Sequence, residues 1–197
     1  MAQIEGVARD SWRVSAYQAQ ALARFIEAGK VGEGALKADY VALKRLNPDA
    51  DALTVQQIAA FTRALHRAKV DCEQLSIERW KRWAVIVNGI ALTGHHVQKD
   101  DADKVSARFG FQLRRAGVSD ARVTRLLNAR GDAFFPLLQR VLRLMESRKV
   151  EPNWAELGTF VLNESAEHPR ARRWADRSRI RFVQDFTSAR PESAKKP

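Results

Sequence analysis

The stretch RFGFQLRRAGVSDARVTRLLNARGDAFFPLLQRVLRLMESRK, residues 108–149, decides both the fold class and the chemistry to expect of this chain. Its apolar residues recur at three- and four-residue steps: Phe109 and Leu113, then Val123, Leu126 and Leu127, then Phe134, Leu137, Leu138, Val141, Leu142 and Met145. That period is the mark of amphipathic helices, each burying one stripe. Gly117 stops the first helix, Ser119 can cap the second and Asp132 the third. Pro136 falls in a first turn, where a missing N–H does little harm. Gly110 inside the first helix costs about 1 kcal/mol relative to Ala, and the expected benefit is close approach of another helix backbone. Ten residues of the stretch are basic (Arg108, Arg114, Arg115, Arg122, Arg125, Arg130, Arg140, Arg143, Arg148, Lys149) and three are acidic (Asp120, Asp132, Glu146). Nine of the ten are Arg, whose planar fork matches phosphate oxygens two at a time. A surface so one-sided in sign attracts a polyanion.

The helical period continues outward in both directions. Ala16, Ala19, Leu22, Ala23 and Ile26 mark a helix over residues 11–28, with Gly29 as its stop and residues 29–34 as a flexible joint. Leu36, Tyr40, Leu43 and Leu46 form a second run, ended by Asn47-Pro48, and Thr54 caps a third carrying Ile58, Phe61, Leu65 and Ala68. Ser76 opens a helix with a wide apolar face, Trp80, Trp83, Val85, Ile86, Val87 and Ile90, which belongs at the centre of an N-terminal lobe. The polar segment GHHVQKDDAD, residues 94–103, reads as a linker or mobile loop. Beyond it a helix carries Val105, Phe109 and Leu113 at four-residue spacing. After residue 149, Asn153-Trp154 begins a helix through Leu157, Phe160 and Val161, and a last one at about 170–187 uses Trp174, Phe182, Val183 and Phe186. The expected architecture is all-α, a two-lobed helical bundle of about eight or nine helices. It divides into an N-terminal helical lobe (1–98), a C-terminal basic helical lobe (105–187) and a flexible tail (188–197).

The charge follows the same division. The 197 residues carry a formal net charge of +11, of which residues 1–104 hold +2 and residues 105–197 hold +9. A polyanion-facing surface therefore belongs mainly to the C-terminal half. Cys72 is the only cysteine, so no internal disulfide forms and no thiolate metal cluster can be built, which fits a reducing cytoplasm. The segment MAQIEGVARDSW has no apolar signal-like core. No stretch approaches the ~20 apolar residues that span a bilayer, and the narrow apolar stripes point to a core rather than to a membrane surface.

Catalytic constellations are scarce. His95-His96 is adjacent rather than at a ligand spacing, and the nearby Asp100, Asp101 and Asp103 read as a polar loop. Gly32-Glu33-Gly34 with Lys37 lacks both the spacing and the preceding strand of a phosphate loop. His66 and His168 belong at a surface and in a loop. The carboxylates are scattered among basic neighbours, a pattern of ion pairs rather than of an acid–base pair. No enzyme activity, metal or cofactor is expected. Trp80, Trp83, Trp154 and Trp174 each fall on an apolar stripe and are assigned to the core rather than to base stacking. The basic residues are the coherent set. Arg108, Gln112 and Arg115 share a helix face opposite Phe109 and Leu113. Arg122 with Arg125, and Arg140 with Arg143, repeat a three-residue step on two further helices, and Arg130 emerges at a turn beside Gly131. Adjoining faces of this kind track a sugar-phosphate backbone without reading bases.

The run FGFQLRRAGVSDARVTRLLNARGDAFFPLLQRVLRLMESRKVEPNWAEL, residues 109–157, carries Gly110, Gly117, Arg122 with Leu126, Leu127 and Ala129, then Leu138, Arg140 and Leu142, then Asn153-Trp154. In this order it resembles the CasB family, the small subunit of the type I-E CRISPR surveillance complex Cascade. Arg173-Trp174 and Arg181-Phe182 to Phe186 are similar to that family's terminal helix, and Lys44-Arg45 followed by Leu46 is similar to its Arg-Arg pair. The chain departs from the family in being longer around 47–80 and 163–172, and in placing Asn128 and Gln139 where some family members are basic. The resemblance implies a non-catalytic subunit of an antiviral ribonucleoprotein. Two copies would pack head to tail against the backbone and large subunits of Cascade, in contact with guide RNA and target DNA, including the displaced strand of the R-loop. Arg122 and Arg140 carry over from matched motif positions. Charge and helix face add Arg108, Arg114, Arg115, Arg125, Arg130, Arg143, Lys44 and Arg45. The competing expectation is a protein-interaction scaffold whose basic face docks an acidic partner protein.

Overall fold

Helix α1 (Ala16–Val31) begins where the Ser15 hydroxyl accepts the Gln18 amide and the Gln18 side chain accepts the Ser15 amide, a reciprocal cap that satisfies two otherwise orphaned donors. Thr54 and Gln57 repeat the device at the start of α3 (Val55–Arg67), after α2 (Gly34–Lys44). Ser76 caps α4 (Ile77–Thr93) by accepting the Arg79 amide. The second half contains α5 (Asp103–Ser106), α6 (Phe109–Arg115), α7 (Asp120–Asn128), a 3-10 turn (Gly131–Ala133), α8 (Phe134–Ser147), α9 (Trp154–Asn163) and α10 (Pro169–Ser188). The fold is described from a computed structural model over residues 13–47, 53–100 and 103–189. Within those residues it is all-α. Trp12, Pro48, Asp101 and residues 190–197 of the expected tail lie outside them.

Helix α4 is the hub. It is buried continuously from Arg82 to Ala91 and packs against α1, α2, α3, α8 and α9. Its wide apolar face announced a central helix of the first half, and it is equally the surface on which α8 and α9 of the second half rest. Gly89 makes the closest of these contacts possible, because a Cβ there would overlap the indole of Trp154. Trp154 is fully buried, and its indole N–H donates to the Gly94 carbonyl at 3.0 Å. The buried apolar residues form one cluster from Val14 to Phe186. Within it, Phe134, Phe160, Phe182 and Phe109 meet edge to face in sequence, with centroids 5.4, 5.2 and 5.1 Å apart. These rings tie α8, α9, α10 and α6 together, each contact adding about 0.5–1.5 kcal/mol beyond the area it buries.

Local expectations change in five places. Asp132 lies inside the 3-10 turn and does not cap α8, whose N-cap is Ala133 with no side-chain bond. Helix α1 continues through Gly29 to Val31, and Gly32 is its C-cap. The helix expected across Val105, Phe109 and Leu113 is two helices, because the Phe109 amide donates to Glu156 Oε2 at 2.7 Å instead of continuing the ladder. Val105 is consequently exposed, as are Leu36, Ile58 and Val183, all of which the periodicity assigned to apolar stripes. Finally, the start of the 94–103 segment is tied down. The Trp154 amide donates to His95 Nδ1 at 3.1 Å, the His96 amide donates to the Pro152 carbonyl at 3.0 Å, and the His96 ring lies 2.8 Å from Asp103.

Candidate nucleic-acid interface

The basic residues fall into two classes once the helices are packed. In α7, Val123, Leu126 and Leu127 are buried, which turns Arg122 and Arg125 outward. In α8, Phe134, Leu138, Val141, Leu142 and Met145 are buried, and Arg140 and Arg143 are exposed. The two helices pack against each other across the Gly131–Ala133 turn. Arg115, at the end of α6, is exposed as well. Among the described residues none of these five guanidinium groups has an acidic partner, so each is available to an external anion.

The other sequence-derived positions, Arg45 apart, are committed within the fold. Arg108 is the N-cap of α6 and reaches Asp185 of α10 at 3.1 Å. Arg114 lies over the Phe186 ring at 3.8 Å, donates to the Phe186 carbonyl at 3.1 Å and pairs with Asp120 at 3.3 Å. Arg130 closes the C-terminus of α7 by donating to the Leu127 and Ala129 carbonyls at 2.8 and 3.0 Å, a favourable place for a cation at a helix dipole. Lys44 donates to Glu146 at 2.9 Å, and that bond raises its pKa. Arg45, beside it at the C-cap of α2, is exposed. The expected grouping of Arg108, Gln112 and Arg115 on one outer face does not form. Gln112 is fully buried, with its side-chain oxygen accepting the Asn153 amide at 3.0 Å.

A second basic stripe was missed. Arg170, Arg173 and Arg177 stand on one exposed face of α10 at steps of three and four, and none has an acidic partner among the described residues. The signal is present as six Arg between residues 170 and 181, of which only Arg173 and Arg181 enter the sequence reading, as parts of the family resemblance. Its remaining charges are structural. Arg179 is buried and pairs with Glu164 at 2.8 Å, while Glu164 accepts the Gly131 amide at 3.1 Å. Arg181 pairs with Glu156 at 2.7 Å.

No three His, Cys, Asp or Glu side chains converge among the described residues. His95 is pushed below its ordinary pKa by burial, and the Cys72 thiol above its own for the same reason. Burial also raises Glu156, against the opposing pull of the Phe109 amide and Arg181. No described helix is long and apolar enough to cross a membrane.

A family model described as CRISPR-associated protein Cse2 matches residues 41–186 of the chain. No curated protein and no solved structure matches it.

Proposed function

The chain belongs to the Cse2 (CasB) family of CRISPR-associated proteins, the small subunits of type I-E Cascade, and we propose that it acts there as a non-catalytic clamp on nucleic-acid backbone. In this reading Arg115, Arg122, Arg125, Arg140 and Arg143 contact phosphates of the guide–target hybrid or of the displaced strand. The observation that carries the reading is their exposure, without acidic partners among the described residues, on helices packed into the fold. Arg108, Arg114, Arg130 and Lys44 keep their intramolecular bonds and shape the surface instead of leading the contact. Forming an R-loop exchanges one duplex for another of similar stability, so modest backbone contacts are enough to tip it. The cytoplasmic setting, the second copy of the chain and the backbone and large subunits of Cascade as partners belong to the same proposal.

The test is binding of the purified chain to two unrelated single-stranded DNAs across a salt series. Comparable affinities that fall steeply with salt are expected, because counterion release dominates and base identity does not matter. Replacing Arg122 and Arg140 together by Ala should lower the salt slope by about 1.4, two phosphates at roughly 0.7 each on a single strand. An unchanged slope removes both residues from the track. Absence of binding at physiological salt transfers the basic face to an acidic protein partner.

A further inference from the structure

An open cleft of about 670 Å³, lined by no residue of α7 or α8, lies where the start of α1, the end of α3, α9 and α10 come together. Two aromatic rings, Tyr17 and Trp174, and two cations, Arg13 and Lys69, line it, and among the described residues no acidic side chain does. Tyr17 is 54% exposed, although nothing in a water-facing helix requires a large ring. Lys69 Nζ stands 5.5 Å over that ring. Lys69 also holds φ 54, a left-handed conformation uncommon for lysine, locked by its own amide to the His66 carbonyl and by the Val70 amide to the Leu65 carbonyl, both at 3.0 Å. Trp174, assigned from its periodicity to the core, is only partly buried. It follows Arg173 on α10, in the stripe of Arg170, Arg173 and Arg177 described above.

The polar groups of the cleft are spent locally. Ser15 and Gln18 cap α1, and the Thr159 hydroxyl accepts the Val14 amide at 2.9 Å and donates to the Ala155 carbonyl at 2.6 Å. The cleft therefore offers π faces and positive charge, with little to read a base edge. That combination suits a planar group flanked by phosphates, because every base has a face to stack and stacking tolerates any sequence. An acidic peptide would use the two cations and leave the rings idle.

We propose that this cleft receives an unstacked base of single-stranded nucleic acid against Tyr17 and Trp174, with Arg13 and Lys69 on the adjoining phosphates and the α10 stripe leading the strand to it. The proposal rests on the nucleic-acid reading above and adds a base-holding site to a backbone clamp. It is tested with the full chain at fixed low salt, comparing a labelled oligothymidylate with an abasic oligomer of equal length, which keeps the phosphates and lacks the bases. The thymidylate should bind about tenfold more tightly for a single stacked base. Tyr17→Ala, at an exposed position that spares the core, should abolish that preference and leave the abasic affinity unchanged, while Tyr17→Phe should retain it. Equal affinity of the wild-type chain for both oligomers, or a preference that survives Tyr17→Ala, overturns the base site and leaves the backbone clamp standing. Failure to bind either oligomer overturns both. Equal affinity for the two oligomers together with an oligoglutamate that binds Lys69→Ala less well than the wild type and Tyr17→Ala as well as the wild type reassigns the cleft to an acidic segment and overturns the base site as well.

Discussion

Gln139 of α8 donates its side-chain amide to Asn88 Oδ1 of α4 at 3.0 Å, and Asn88 turns its own amide on the Leu43 and Lys44 carbonyls at 3.1 Å each. One buried asparagine thus joins three helices, and it ends α2 at the point where Lys44 crosses to Glu146. The neutral Gln139 amide supplies a donor to the seam.

Asn88→Leu removes the donor to two helix-terminal carbonyls and strands the Gln139 amide. A loss of about 1–3 kcal/mol is expected, the cost of leaving buried polar groups unpaired. Gln139→Leu, at a partly exposed site, should cost less. Urea denaturation of both single variants and of the double variant checks this. Strictly additive losses would mean that the two side chains are not coupled.

Gly110→Ala pits propensity against packing. Alanine in a helix is worth about 1 kcal/mol over glycine, but a Cβ at Gly110 would overlap the Phe182 carbonyl, lie 2.5 Å from Asp185 Cβ and lie 2.9 Å from the Phe186 amide nitrogen. Most of that obstruction is backbone and has nowhere to go, so packing wins. The variant should be less stable by about 1–3 kcal/mol, read as a lowered Tm. A raised Tm would show that α10 stands further from α6 than described.

Arg114 and Arg122 separate structural from available arginines. Arg114→Ala should cost about 1 kcal/mol of stability through the lost Phe186 stacking and carbonyl bond. Arg122→Ala, with no partner among the described residues, should stay within about 0.5 kcal/mol. The order reverses in the salt dependence of DNA binding, where Arg122→Ala should have the larger effect. Denaturation and binding measured on the same two variants decide it.

His95 makes stability depend on pH. Its folded pKa lies below the ordinary value of 6.5, chiefly because burial disfavours the charged ring, and its Nδ1 must stay unprotonated to accept the Trp154 amide. The unfolded chain therefore binds the proton first. Stability is fully present above about pH 6.5 and declines as pH falls from there toward the lowered folded value. His95→Asn keeps an acceptor in place of Nδ1 and does not titrate. Its Tm should vary less than that of the wild type between about pH 7.5 and 5.5, and parallel curves would exclude His95 as the source.

The helices themselves were legible because what makes them is local. Thr54, Ser76 and Asn153 stand at their N-caps as read, and Gly110 is small for the reason expected of it. Several misreadings occur where a distant group intervened. Glu156 captures the Phe109 amide from 47 residues away and splits a helix. Asn153 draws Gln112 inward. Asp185 takes Arg108 from the solvent. The Arg170, Arg173 and Arg177 stripe was legible in principle, since its spacing is periodic.

Apolar period, capping residues and charge asymmetry were enough for an all-α chain with a basic second half, because each is a property of neighbours along the backbone. Which arginines stay free, that α4 carries both halves of the chain, and that Tyr17 and Trp174 line one cleft all depend on side chains far apart in sequence meeting at ångström range. Helical periodicity tells which face of a segment is buried. It does not tell against what, because the partner is selected by packing and by competition for hydrogen bonds across the whole fold.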